Sequence, residues 1–229
     1  MRKKIYVIGM IFILITSLVG CSSDSEKSSK KELPTLTYIG HATVKLKSKE
    51  GKVIYIDPYE EGDYSEAADY ILVTHEHEDH NVISKCTEKD DTVIIRSEDA
   101  LVDGEYKTFD YDNIKIEAVP SGGNKNHSVT NCVGYIVTID GVTVFHAGDT
   151  SMNDKTNDIC GRSIDYALYP VDGTYNMDAE EATEMADLIG AKHNIPIHEY
   201  NMGDEKKSDN FKAKGKLVLK YGETISIGD

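Results

Sequence analysis

Tyr70-Ile71-Leu72-Val73-Thr74-His75-Glu76-His77-Glu78-Asp79-His80 is the stretch around which the remaining sequence arranges itself. Ile71 to Val73 is a short apolar, partly β-branched run, which reads as a buried strand. It breaks into six consecutive ionisable residues. Three imidazoles and their neighbouring carboxylates, crowded past a strand end, are costly to bury unpaired. A divalent metal removes that cost, because neutral imidazole and carboxylate are its natural ligands. His75 and His77 lie two residues apart, so an extended segment points both to one side. Asp79 and His80 are too close along the chain to share that geometry, which suggests a second metal. The competing reading is a solvated acidic loop that happens to hold histidines.

The spacing His75-Glu76-His77-Glu78-Asp79-His80 fits an H-x-H-x-D-H signature and resembles the metallo-β-lactamase superfamily. The resemblance implies an α/β fold, a four-layer αββα sandwich with the metal loops gathered at one edge of two sheets. It extends over Leu36 to His198 through further motifs in order. Tyr38-Ile39-Gly40-His41-Ala42-Thr43-Val44 and Ile56-Asp57-Pro58 resemble the opening of the ascorbate phosphate lactonase-like branch, which also holds lipid-cleaving phospholipase D relatives. Alone, His41 would read as a polar loop residue. The resemblance gives His41 and Asp57 a supporting role at the base of the site. His127 follows a glycine-rich loop, Pro120-Ser121-Gly122-Gly123-Asn124, and precedes the strand Val133 to Ile139, where the superfamily places its next ligand. His146-Ala147-Gly148-Asp149-Thr150 is similar to the segment whose aspartate bridges two metals, and His198 matches the last metal histidine. The implied set is His75, His77 and His127 on one ion and Asp79, His80 and His198 on the other, with Asp149 between them. Asp79, Asp149 and His198 are the residues expected to carry catalysis.

Two divalent metals are therefore the implied cofactors. Zinc is the default for so many histidines, and manganese is the alternative, given two carboxylates and its association with the lactonase-like branch. A hydroxide held between two such ions attacks a carbonyl or phosphoryl centre. The di-iron oxygen-reducing branch has glutamate where this chain has His77, which disfavours redox chemistry. The best-known zinc β-lactamases carry cysteine where this chain has Asp149, which disfavours antibiotic hydrolysis. The expected substrate is a small ester, lactone or phosphoester. A phosphodiesterase acting on lipid headgroups and a non-catalytic binding lipoprotein are the alternatives.

The chain's 229 residues leave one domain with a sizeable core once a leader is set aside. The formal net charge is −15, and removing residues 1–20 would take away Arg2, Lys3 and Lys4 and leave it more acidic still. Such a surface repels phosphate backbones and argues against nucleic acid as partner. Arg2-Lys3-Lys4 followed by the apolar Ile5 to Val19 reads as a signal peptide, too short to span comfortably. Leu18-Val19-Gly20-Cys21 resembles a bacterial lipobox, which implies lipidation at Cys21 and attachment to the outer face of the cell membrane. Residues 21–33 are then a flexible tether, and residues 34–229 the hydrolase domain. Cys86, Cys132 and Cys160 are too few and too irregular for a disulfide framework, though one pair is open, and Cys132 reads as a packed thiol.

Other expectations are local. Asp140-Gly141 signals a tight hairpin. Asp178, Glu181 and Gly190 frame a helix with a capping box, and Ala182, Met185, Ala186 and Ile189 form its apolar stripe. Pro196 weakens a central-strand reading of His193 to Ile197. His193 reads as structural. Lys216 to Leu219 and Thr224 to Ile227 read as closing strands, and Tyr175 and Met177 as pocket residues.

Overall fold

The computed structural model describes residues 33–199 and 207–228. The signal peptide, Cys21 and all of the tether but Leu33 lie outside them.

Five strands open the domain: Thr35–Gly40 (β1), Thr43–Lys47 (β2), Val53–Ile56 (β3), Ala68–Leu72 (β4) and Glu88–Ile95 (β5). Ser97–Ala100 (α1) and a two-stranded hairpin, Leu101–Val102 (β6) with Glu105–Tyr106 (β7), lead to the second half. There follow Thr108–Tyr111 (β8), Ile114–Pro120 (β9), Val133–Ile139 (β10), Val142–His146 (β11) and Tyr166–Pro170 (β12). Ala179–Ile189 (α2), His193–Ile197 (β13), Lys207–Asn210 (α3) and Glu223–Ser226 (β14) complete the chain.

The strands form two six-stranded sheets, ordered β14-β1-β2-β3-β4-β5 and β13-β12-β11-β10-β9-β8. Each sheet is mixed. Pairs β1–β2 and β2–β3 are antiparallel, whereas β3, β4 and β5 run parallel. Likewise β9–β10 and β10–β11 are antiparallel, whereas β11, β12 and β13 run parallel. Asp57, His75, Asp149, Asp172 and His198 all follow the carboxyl ends of parallel-paired strands, the edge where open α/β sheets bind ligands.

The hydrophobic layers follow from strand alternation. Leu46, Ile54, Ile56 and Leu72 from the first sheet meet Ile116, Val133, Tyr135, Val137 and Leu168 from the second. Tyr135 Oη crosses this layer to donate to the carbonyls of Val73 and Ile95. The outer face of the second sheet, through Ile136, Phe145, Ala167 and Tyr169, packs on α2. Helix α2 forms as expected at both ends: Asp178 accepts from the N–H groups of Glu180 and Glu181, and Gly190 takes φ 74°. Its buried face is Ala182, Met185, Ala186 and Ile189. Full burial of a side chain such as Met185 or Ile189 is worth about 1.5–3 kcal/mol. Glu181 departs from the capping-box expectation, because its carboxylate accepts the Met152 N–H at 2.7 Å.

The αββα order holds, with one thin layer. Behind the first sheet, Tyr55 and Ile71 are covered by Tyr64, Cys86 and the 3₁₀ turn Ile83–Lys85. The Asp140-Gly141 hairpin is present, with both φ values positive. β13 is an edge strand, which accommodates Pro196. Lys216 to Leu219 does not form the expected strand. It makes one isolated bridge, Asn194 to Lys216, and Leu217 N–H donates to Asn194 O.

Candidate metal centre

The site starts from backbone held in costly conformations. His41, Asp57 and His198 take φ values of 52°, 49° and 53° without being glycine, and such left-handed residues persist only when their surroundings fix them. The His41 carbonyl accepts from His198 N–H at 2.7 Å and from Tyr38 Oη–H at 2.9 Å, which locks the β1–β2 turn against the end of β13. Gly148, at φ 63°, passes so near β4 and β10 that a Cβ there would lie 3.0 Å from both Thr74 Cβ and Val133 O. This close approach seats Asp149 directly beneath the histidine loop.

The histidines gather as the motifs imply. Ligand atoms of His75, His77 and His127 fall within 4.8 Å of one another, as do those of His41, Asp79, His80 and His198. His75, His80 and Asp149 form a third such group and join the first two. Asp149 is 3% exposed. Its Oδ1 lies 3.4 Å from His80 Nε2, and its Oδ2 lies 3.3 Å from both His127 Nε2 and His198 Nε2. All seven expected ligands are therefore brought together, with Asp149 central.

Four of the ligand histidines, His75, His80, His127 and His198, are aimed by a partner on the other nitrogen. His80 Nδ1 meets Asp57 Oδ2 at 2.8 Å, and Asp57 is itself held by the Thr74 N–H and hydroxyl. His198 Nδ1 lies 3.2 Å from Asp172 Oδ2. His75 Nδ1 meets the Thr74 hydroxyl at 3.1 Å, and His127 Nδ1 meets Asn124 Oδ1 at 3.2 Å. His41 Nε2 approaches Asp79 Oδ2 at 3.2 Å, and its ring lies tilted against that of His198, with centroids 3.8 Å apart. Asp57 is thus a supporting residue as expected. His41 is closer to the chemistry than expected, because it belongs to the ligand cluster itself.

Asp172 carries no role in the sequence reading. Its Oδ1 accepts the N–H groups of Thr174 and Tyr175, and its Oδ2 accepts from Asn176 Nδ2. The available signal was its position: like Asp57, it follows directly on a buried apolar strand end.

Electrostatics favour cations here. Burial, reinforced by His80, pushes the His75 imidazole down to about 3 and keeps it neutral. Burial opposes the charged form of His198, yet Asp149 and Asp172 raise it to about 9. His80 is raised well above its usual range against burial by Asp149 and Asp57. Burial would raise Asp79, but the His41 hydrogen bond and the nearby His80 hold it below the usual carboxylate range. Among the described residues, His75 Nε2, His80 Nε2 and Asp149 Oδ1 are buried without a hydrogen-bond partner. Buried polar atoms are rarely left so. Neutral imidazole nitrogen and carboxylate oxygen converging in this way fit divalent metal ions.

Other residues separate from the site. His146 lies in the core, with Nε2 donating to Ala42 O and Nδ1 accepting from Gly148 N–H. His193 stacks on Tyr166 at the opposite end of β13. Cys86, Cys132 and Cys160 are free thiols. Burial pushes Cys132 up to about 12, so it supplies no thiolate. A cleft of about 560 Å³ opens over Asp79, Asp149 and His198, rimmed by Glu76, Glu78, Asn126 and Tyr175. Met177 does not reach it: its side chain is 1% exposed and packed under α2.

A family model described as a beta-lactamase superfamily domain matches residues 35–198. The chain belongs to the metallo-β-lactamase superfamily. It falls among that superfamily's metal-dependent hydrolases. A UPF0173 metal-dependent hydrolase of Pyrococcus furiosus is 31% identical over 226 residues, covering 84% of this chain and 99% of the relative. One from Bacillus velezensis is 29% identical over 228 residues, covering 84% and 99%. The solved structure of a metallo hydrolase from the archaeon Ignicoccus hospitalis has the same fold, at TM-score 0.66 and 22% identity, over 86% of this chain and 99% of that one.

Proposed function

We propose that this superfamily member is a dimetal hydrolase of the lactonase-like branch, acting on a small uncharged ester or lactone. The observation that carries it is the convergence of both histidine groups on Asp149, with His75 Nε2, His80 Nε2 and Asp149 Oδ1 buried and facing one another. His75, His77 and His127 would hold one ion, and Asp79, His80 and His198 the other. Ions bound there supply a water of lowered pKa and a Lewis acid for the oxygen under attack.

The chain's own groups do the rest. Asp149 offers one oxygen toward His80 and the other toward His127 and His198, the disposition of a bridging ligand. Asp79 is kept ionised by His41, which holds its Oδ2, and lies on the cleft wall with Oδ1 on the side of His80, placed to serve as a ligand. His198, turned by Asp172, fixes the cleft floor. Asn126 Nδ2 donates to Tyr175 O at 3.2 Å and ties the two rim loops together.

The choice of an uncharged substrate rests on the rim. No lysine or arginine is found among the described residues lining the cleft, whereas Glu76 and Glu78 are. Arg96 Nη1 pairs with Glu76 at 2.7 Å, so the repulsion a phosphodiester headgroup would meet comes from Glu78, and it disfavours the lipid phosphodiesterase alternative. In the same proposal, residues 1–20 are a lipoprotein leader and residues 21–33 a tether. Cys21 then holds the domain, from residue 34 onward, outside the membrane, as the lipobox-like Leu18-Val19-Gly20-Cys21 suggests.

Elemental analysis of the purified protein should give about two divalent metals per chain, since seven ligands exceed one tetrahedral ion. A matched panel of esters, lactones and phosphodiesters should show turnover of an uncharged member, lost with chelator and restored by zinc or manganese. A protein that neither carries nor takes up metal defeats the proposal, and preferential phosphodiester cleavage defeats its substrate half.

A further inference from the structure

We propose that the two metal subsites are unequal: the one formed by Asp79, His80 and His198 fills first and holds its ion at least tenfold more tightly. The inference rests on the dimetal reading above. It comes from what stands behind each ligand.

In the Asp79–His80–His198 subsite, every ligand is backed by a buried or charged group. Asp57, fully buried, takes His80 Nδ1 at 2.8 Å. Asp172, 1% exposed, faces His198 Nδ1 at 3.2 Å. His41, 6% exposed, holds Asp79 Oδ2 and leaves Oδ1 on the side of His80 Nε2. Asp79 and Asp172 thus add carboxylate charge here that the other subsite does not share, and Asp57, which touches His80 directly, reaches His75 only through the Thr74 hydroxyl. Asp149 counts for both. Carboxylates hydrogen-bonded behind ligating imidazoles make them better donors, and charge acts strongly across a poorly solvated interior.

Among the described residues, the His75–His77–His127 subsite has no carboxylate in direct contact behind its imidazoles. The Thr74 hydroxyl stands behind His75, and the Asn124 carbonyl oxygen behind His127. His77 is exposed, and its Nδ1 lies 3.2 Å from His127 Nε2. Binding there must also immobilise the exposed His77, whereas Asp79, the partly exposed ligand of the other subsite, is already held by His41. Both differences favour the same subsite.

The experiment is a cobalt(II) titration of the full-length chain after stripping with chelator. It is followed by ligand-field absorption, with bound metal counted by elemental analysis after equilibrium dialysis. Two steps separated at least tenfold in affinity are expected. His77→Ala should keep the tight step and lose the weak one, and His198→Ala should lose the tight step. Asp172→Asn should weaken the tight step by about 10- to 100-fold and leave the weak one nearly unmoved. Indistinguishable affinities in the wild type, or loss of the tight step in His77→Ala, would overturn the proposal. Because His77 is exposed, its variant decides the matter even if His198→Ala does not fold. Binding of no cobalt at all is a separate result, which refutes the dimetal reading itself.

Discussion

Replacing Asp149 by Asn tests whether this residue is a bridge or only a turn after β11. The change keeps the side chain's shape and removes a negative charge at a point 3% exposed to solvent. That charge lies 3.3–3.4 Å from Nε2 of His80, His127 and His198. It is largely responsible for the raised pKa values of His80 and His198. The Asp149 carboxyl is held well below its usual range by those two histidines, against burial. Its stabilising contribution is therefore present above the ordinary carboxylate pKa and lost on acidification. Breaking a buried charge pair from one side costs about 3–5 kcal/mol. Because His80 and His198 can shed their protons, the low end, roughly 3 kcal/mol, applies at neutral pH. A domain of ordinary stability, about 5–15 kcal/mol, survives that loss. In the loaded protein the same change leaves two dications with less charge between them. At least one should bind more weakly, and turnover should fall by about 100-fold or more, as for a lost catalytic group. Thermal melts with and without chelator, metal content and rate should be measured on one preparation. Unchanged metal stoichiometry together with activity within a few-fold of wild type would refute the bridge.

His77→Ala should lower metal content and activity together, whereas His193→Ala, on the far end of β13, should leave both unchanged; equal metal loss in the two would show that the ligands are misassigned. Asp69 is almost buried and accepts from Lys52, Lys89 and Val53 N–H, and the lysines pull its carboxyl below the usual range against burial. Asp69→Asn should therefore cost about 1–2 kcal/mol at pH 7, after allowing for two partly exposed lysines. Urea unfolding of the two proteins should converge as the pH falls through the carboxylate range, where the wild type also becomes neutral, and a gap that persists at low pH would refute this. Cys21→Ser should abolish lipidation without altering the catalytic domain, and an unmodified mature N-terminus downstream of Cys21 in the wild type, by mass spectrometry, would refute the lipid anchor.

What could be read without coordinates was whatever the chain writes locally. His75, His77, Asp79 and His80 are spaced by the loop that holds them, and Gly148 precedes Asp149 because only a close backbone pass brings that carboxylate under the cluster. The hairpin at Asp140-Gly141 and the face of α2 follow from conformational preference and period in the same way. Asp172 is a different case. Its task is to aim a ring 26 residues further along the chain, and its local surroundings show only an acid past a strand end. Asp57 has the same local appearance and is placed only by the resemblance of Ile56-Asp57-Pro58 to a family motif. His41 looked like a turn residue because nothing nearby shows that β13 will end against its carbonyl. Lys216 to Leu219 carries strand-like composition, yet with only Asn194 bridging it there is no ladder to extend, so tertiary opportunity overrode propensity. The residues that bind and the residues that aim them therefore leave unequal traces. Ligands must cluster, and clustering in a short loop leaves a pattern. An aiming residue needs only one partner at hydrogen-bond distance, and the fold can supply it from anywhere in the chain. Asp57 and Asp172 both stand at the carboxyl ends of buried parallel strands, the edge from which a fold can aim a ring that its own sequence neighbours cannot.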